Sequence, residues 1–187
     1  MKEITMQTKT LFISAGHSDT DPGAVGNGLT EADAVLEMRD AICDELDAKG
    51  IVHGRDGRRG ENLPLRNAMT MAAKHDVAIE LHLNAFTNPQ ASGVETLSST
   101  ANKRLGTELC RAISATLGIA NRGAKGEGAG QHSRLGFVST GGGIIVETFF
   151  VTNPSDVAAY QRNKDRMVEA IASILINEVA PKGIYGE

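Results

Sequence analysis

The sequence contains no tryptophan, and aromatic residues make up only 4% of its 187 positions. That weakens any reading in which a broad aromatic platform stacks sugars or bases. Cysteine is nearly absent: Cys43 and Cys110 stand alone in helix-like segments. They read as reduced core residues rather than a disulfide or metal pair, since a free cysteine behaves as a small hydrophobe. Positive charge is not in excess, because the net charge is -4. No basic surface therefore points to nucleic acid. Apolar runs long enough to span a bilayer are missing. Met1–Thr10 is polar, with no apolar h-region and so no visible secretory signal. That leaves synthesis and action in the cytoplasm, export by a route other than a Sec-type signal, or a removed leader. With 41% hydrophobic and 22% charged residues, the composition is that of an ordinary soluble globular protein. The length predicts one domain with a proper core.

Along the chain, strand and helix signals alternate. Thr10–Ser14 reads as a first strand, followed by a glycine- and aspartate-rich loop over 16–28. A helix starts near Thr30, an N-cap residue type with Glu31 and Asp33 following it, and closes at Lys49-Gly50. A short strand is predicted at Ile51–His53, a basic loop at 54–60 and a second helix over Asn62–Lys74 with Pro64 in its first turn. The next apolar strand, 77–85, places Val77, Ile79, Leu81 and Leu83 on one face and Glu80 and His82 on the other. Gly93–Leu97 reads as a strand and Ala101–Leu117 as a helix stopped by Gly118. Residues 121–136 read as irregular, Phe137-Val138 as a short strand, and Ile144–Glu147 as an apolar strand ending in a carboxylate. Asn153-Pro154 then opens a last helix that runs to about Glu178. The pattern predicts a single α/β domain: a mostly parallel twisted sheet of about six strands with helices on both faces. No internal repeat is visible.

Ligands of open α/β sheets bind beyond the carboxyl ends of the strands. His17 follows the first strand, His82 lies near the end of another, Glu147 ends the last, and Glu31 opens the helix over the same edge. Two histidines and two carboxylates, distant in sequence, can thus reach one place. Three N/O ligands with an open fourth position hold catalytic zinc, and a carboxylate left free of the metal can move protons. Each residue also has a plainer reading. His17 can fix its loop, Glu31 can serve the helix dipole, and His82 can be a core histidine with a satisfied hydrogen bond. Glu147 resists such a reading, because four apolar residues lead into it and a buried carboxylate needs a partner or a raised pKa. Glu80 lies about 6.6 Å further back from the strand end than His82, as a supporting or ion-pair group. His53 competes as a ligand from a basic loop, His75 reads as a surface residue at a helix end, and His132 sits in the glycine-rich segment. Gly126-x-Gly128-x-Gly130 and Gly141-Gly142-Gly143 lack the spacing and strand-to-helix setting of a phosphate-binding loop.

Three segments resemble a known family. Gly16-His17, Asp21-Pro22-Gly23-Ala24 and Gly28-x-x-Glu31 are similar to the opening motif of the zinc-dependent N-acetylmuramoyl-L-alanine amidases of the amidase-3 type. Arg66-Asn67-Ala68, Asp76 and Leu81-His82-Leu83-Asn84-Ala85 resemble its second segment, and Val146-Glu147-Thr148-Phe149 through Asn153 its third. The segments follow the family's order and span nearly the whole chain. The resemblance implies that His17, Glu31 and His82 bind Zn2+, that Glu147 is the catalytic acid/base, and that Asn84 belongs to the rim of the site. It implies a substrate in peptidoglycan, the amide between the lactyl group of N-acetylmuramic acid and the L-alanine of the stem peptide. Two positions depart from the pattern: Ser18 replaces a second glycine, and Glu80 replaces a small residue such as serine. The expected organisation is an N-terminal extension over 1–9, a catalytic domain over 10–180 and a tail over 181–187. A chain of this kind made in the cytoplasm fits a phage lysin or a bacterial wall enzyme. A non-catalytic wall-binding or regulatory module on the same fold is the alternative.

Overall fold

The computed structural model describes residues 7–129 and 134–181. Its centre is strand β5 (Val77–Asn84), which pairs in parallel with β1 (Leu11–Ala15) on one side and β8 (Ile144–Phe150) on the other. The short β4 (Gly54–Arg55) extends the sheet beyond β1. Beyond β8 lies β6 (Val94–Ser98), antiparallel to it, and then β7 (Asn121–Gly126), parallel to β6. The six-stranded order β4-β1-β5-β8-β6-β7 is therefore mostly parallel, with the last two strands reversed. Among the described residues no helix is long and apolar enough to cross a membrane.

The two faces of this sheet are covered unequally. Helices α1 (Glu31–Ala48), α3 (Lys103–Leu117) and α5 (Pro154–Val179) lie on one face. Against Ile79, Leu81 and Val146 they seal the main core with side chains such as Val35, Ile42, Leu109, Ile113, Ile171 and Leu175. Among the described residues the other face carries only α2 (Leu65–Ala72) and the four-residue α4 (Gly136–Ser139). Phe12, Ala68, Ala72, Ala78, Phe137 and Ile145 form a smaller core there. Leu65 and Gly136, at the starts of these helices, line a pocket together with His17 and with Glu80 and His82 of β5.

Several boundaries differ from expectation. The strand predicted at 51–53 forms at Gly54–Arg55, because Ile51 is committed to the main core and pairing with β1 begins at Phe12↔Gly54. The predicted second helix is shorter, since Asn62 is buried and its Nδ2 donates to the Gly16 carbonyl at 2.8 Å instead of entering a helix. Residues 121–126 form edge strand β7 rather than an irregular segment, and Phe137-Val138 sits in a helical turn rather than a strand. Glu147 does not end its strand: β8 continues to Phe150, with a register shift against β5 between His82 and Asn84. The loop over 16–28 also contains an unforeseen hairpin, β2 (Val25–Gly26) with β3 (Leu29–Thr30). Its central residues Asn27 and Gly28 have φ of 48° and 81°, as a two-residue type I′ turn requires.

Two polar anchors set the loops. Arg39, fully buried, donates to Asp56 Oδ1 at 3.0 Å, Asp40 Oδ1 at 2.7 Å and the carbonyls of Arg58 and Glu61. Asp56 in turn accepts the Ala15 N–H at 3.2 Å, so the 56–61 loop, α1 and the end of β1 are held as one piece. Asn153 caps α5 by accepting the N–H groups of Ser155 and Asp156, at 2.8 and 3.1 Å, while its Nδ2 donates to the Ala91 carbonyl. Replacing such a cap by alanine costs about 1–2 kcal/mol. Asn153→Ala should lower the urea midpoint accordingly, and an unchanged midpoint would mean that water replaces the cap without loss.

Candidate metal centre and active site

Beyond the carboxyl ends of β1 and β5 the structure brings His17, Glu31 and His82 together, with one donor atom of each within 4.8 Å of the others. The hairpin delivers Glu31 to this point. Its Oε2 accepts the Ala24 N–H at 3.0 Å, and its Oε1 accepts the Leu83 N–H at 2.9 Å. The same Oε1 lies 2.9 Å from His17 Nε2 and 3.1 Å from His82 Nδ1. Each histidine presents its other nitrogen to a second carboxylate. His17 Nδ1 is 3.1 Å from Asp21 Oδ2, and His82 Nε2 is 3.1 Å from Glu80 Oε1. Such carboxylates fix the orientation and tautomer of metal-bound imidazoles.

The backbone is shaped to this cluster. His17 adopts φ of 66°, a left-handed conformation uncommon outside glycine, which turns its ring back toward Glu31. Gly16 lies directly under the His82 ring, where a Cβ would stand 2.3 Å from Cε1, so only glycine lets the imidazole take this place.

Crowding of carboxylates against imidazoles shifts the protonation of both. Burial works to raise the pKa of Glu31, but His17 and His82 outweigh it and hold the carboxyl well below its usual range. Burial opposes charging of His82, yet Glu31 and Glu80 raise its pKa well above the ordinary value, and Glu31 raises that of His17. Without a cation, one carboxylate oxygen faces two imidazoles and an amide N–H at once. Two imidazole nitrogens and one carboxylate oxygen within this radius suit zinc, and the residues present fit such an ion.

Glu147 stands beside the cluster, opposite His82 in the sheet register. Its Oε2 is buried and has no partner among the described residues. Burial pushes its pKa up to about 7, against the pull of His82, and the charges of Glu31 and Glu95 add to the rise. A cavity of about 590 Å³ opens over these groups, lined also by Asn84, Phe86 and Phe150. Asn84 Nδ2 donates to Glu95 Oε1 at 3.2 Å.

The remaining histidines stay outside. His53 Nδ1 lies 3.2 Å from the Ile51 carbonyl, and His75 packs on Phe12 with Nδ1 2.8 Å from the Met71 carbonyl. His132 lies outside the described residues. Cys43 and Cys110 are free and buried, and burial pushes the Cys43 thiol up to about 12. Asp21, Asn62, Glu95, Arg122 and Lys125 had no assigned place in the site from sequence. The first was visible as the Asp-Pro-Gly turn four residues after His17; the others carry no local signal.

The structure thus places two histidines and a glutamate together at the strand ends of an open α/β sheet, beside a carboxylate whose Oε2 is buried without a partner among the described residues. The chain belongs to the N-acetylmuramoyl-L-alanine amidase family, whose profile matches residues 11–177. The N-acetylmuramoyl-L-alanine amidase LytC of Bacillus subtilis (strain 168) is 30% identical over 174 residues, covering 87% of this chain and 34% of LytC. The chain thus spans about a third of that relative's length. The endolysin of Bacillus phage SPP1 is 28% identical over 186 residues, covering 90% of this chain and 66% of its own. A Neisseria meningitidis crystal structure, provisionally designated an N-acetylmuramoyl-L-alanine amidase, superposes with a TM-score of 0.83 at 39% identity. That match covers 91% of this chain and 95% of the other.

The protonation pattern has a measurable outcome in metal-free protein. The raised histidines contribute stability that is complete below about pH 6.5 and is lost as pH rises through their folded values. Glu147, raised from 4.5 to about 7, binds its proton more tightly when folded, so stability also falls as pH rises from about 4.5 to about 7. Asp56, which burial pushes up to about 6, acts in the same sense. The urea midpoint of metal-free protein should therefore decline from about pH 5 to 8, and added Zn2+ should restore it most at the upper end, where protons compete least. A midpoint that climbs over this range would contradict the protonation pattern.

Proposed function

We propose that this chain is a zinc-dependent peptidoglycan amidase that cleaves the amide between N-acetylmuramic acid and L-alanine, with the cell wall as its place of action. The observation that carries the reading is the Glu147 carboxylate, whose Oε2 is buried with no hydrogen-bond partner among the described residues, beside three converging donor atoms. A module that only bound the wall would have no use for such a carboxylate.

His17 Nε2, Glu31 Oε1 and His82 Nδ1 would hold the ion. A zinc ion held there supplies Lewis-acid polarisation of the scissile carbonyl and a water pKa lowered toward about 7. Glu147, with Oε2 free of hydrogen bonds among the described residues and its pKa raised to about 7, takes in its ionised form the proton of the attacking water. It then returns that proton to the alanine nitrogen as the C–N bond breaks, so the amine leaves neutral. Asp21 and Glu80 orient the two imidazoles.

Incubation with purified peptidoglycan should release new L-alanine amino ends that vanish with chelator; new reducing sugar ends would overturn the reading in favour of a glycosidase. Glu147→Gln should retain zinc and lose turnover by about 10²- to 10⁴-fold, whereas His82→Ala should lose the metal itself. Near-normal turnover in the first variant, or full metal content in the second, would remove that residue from its role. Glu80→Gln should weaken zinc affinity by roughly 10- to 100-fold in a chelator competition. Unchanged affinity would leave Glu80 with no part in holding the ion.

A further inference from the structure

Two strands away from Glu147 the cavity wall turns basic. Glu95 on β6 stands directly opposite Glu147 in the register. Its Oε2 accepts from Arg122 Nε at 2.5 Å and from Lys125 Nζ at 2.7 Å, both on edge strand β7. Burial works to raise the Glu95 pKa, but Lys125 and Arg122 outweigh it and keep the group ionised at neutral pH. One carboxylate thus meets two cations, and the trio carries a net positive charge in a protein whose overall charge is -4.

The Arg122 guanidinium is also fixed in orientation. Its central carbon lies 5.0 Å from the centroid of the Phe150 ring, in a cation–π contact. With Nε spent on Glu95, the two terminal nitrogens have no partner among the described residues. The side chains of Arg122 and Lys125 are 37% and 30% exposed, and both line the same cavity as Glu147 and His82. An edge strand often carries charge simply to discourage pairing with another chain. Here the charge is turned into the cavity, seated on an aromatic ring and anchored by a buried acid. A guanidinium presented in this way is a fork for a carboxylate.

We propose that Arg122, assisted by Lys125, binds the free α-carboxylate of the second stem-peptide residue and so makes the enzyme selective for stems in which that group is not amidated. The inference rests on the amidase reading for the identity of the ligand. The stem continues past alanine with a glutamyl residue joined through its side-chain carboxyl, which leaves its α-carboxyl either free or amidated. From the scissile carbonyl to that carboxyl is two extended residues, about 7 Å. Adjacent strands are about 4.8 Å apart, so β7 lies roughly 10 Å from β8 and its side chains close the remainder. A peptide leaving Glu147 along this wall brings its first free carboxylate to Arg122. Glu95 acts as a positioning residue, because its Oε2 holds both cations and its Oε1 is engaged by Asn84.

The test uses zinc-loaded protein and two soluble substrates, N-acetylmuramoyl-L-alanyl-γ-D-glutamyl-L-lysine and its glutamyl α-amide. Wild-type protein should favour the free acid by roughly tenfold or more in kcat/KM, mainly through KM. Arg122→Gln should erase that preference, its loss of kcat/KM on the acid exceeding that on the amide by roughly tenfold or more. Arg122→Lys should retain part of it, and Lys125→Gln should give a smaller loss confined to the acid. Equal losses on both substrates, or no preference in the wild type, would overturn the proposal and leave the amidase reading intact. Calorimetric binding of the released tripeptide and its α-amide separates the two ideas. If neither substrate is cleaved but Arg122→Gln still abolishes a preference for the acid tripeptide, the amidase reading fails and the carboxylate site stands.

Discussion

The upper end of this fold depends on the position of a single carboxylate. Glu31 opens α1, accepts the Ala24 N–H from the hairpin and the Leu83 N–H from β5, and meets both histidines through one oxygen. It is 3% exposed, so its charge is desolvated and must be compensated by what surrounds it. The same contacts satisfy the carboxylate, fix the angle at which α1 leaves the sheet, and set the separation of the imidazoles. The electrostatic demand of one residue and the geometry of the donor set are therefore one arrangement.

The unequal covering of the sheet explains why this arrangement stays open to a ligand. Three long helices close one face and supply the main hydrophobic core. Among the described residues the opposite face receives an eight-residue and a four-residue helix. Residues that alternate out of the core side of β5, β8 and β6 therefore line a cavity: His82, Glu147 and Glu95 form a row across three strands. Reversal of β6 and β7 extends that row beyond the parallel part of the sheet. It carries the lining from the acidic centre to the basic edge.

Much of this was legible in the sequence, and the limits have physical causes. The α/β alternation, the strand carrying Glu80 and His82, and the N-cap at Asn153 follow from periodicity and capping chemistry. His17, Glu31, His82 and Glu147 could be gathered by topology, because strand ends of a parallel sheet share one edge. Strand β7 could not be found in this way. Asn121–Gly126 is polar and glycine-rich, is half exposed, and forms a strand only because β6 offers it an edge. The two residues Phe137-Val138 are too few for a period to separate strand from turn. The hairpin was hidden for a related reason: its Asn27-Gly28 signal stands out only when apolar strands flank it, and here each strand has two residues. The Glu95 cluster depends on a shifted register between β6 and β7, which no local pattern encodes.

The distance in sequence between the converging groups has a consequence for how the chain matures. Glu31 and His82 are 51 positions apart, and they meet only through the parallel pairing of β1 with β5. Parallel pairing closes a long loop and forms late relative to local helices and turns. The donor trio is thus no feature of the nascent or partly folded chain, in contrast to short zinc modules whose ligands lie within one turn and whose folding awaits the ion. Here the apolar sheet must assemble first, and the ion would enter a finished frame. A chain that has collapsed without correct β1–β5 register holds the same residues and has no trio to offer.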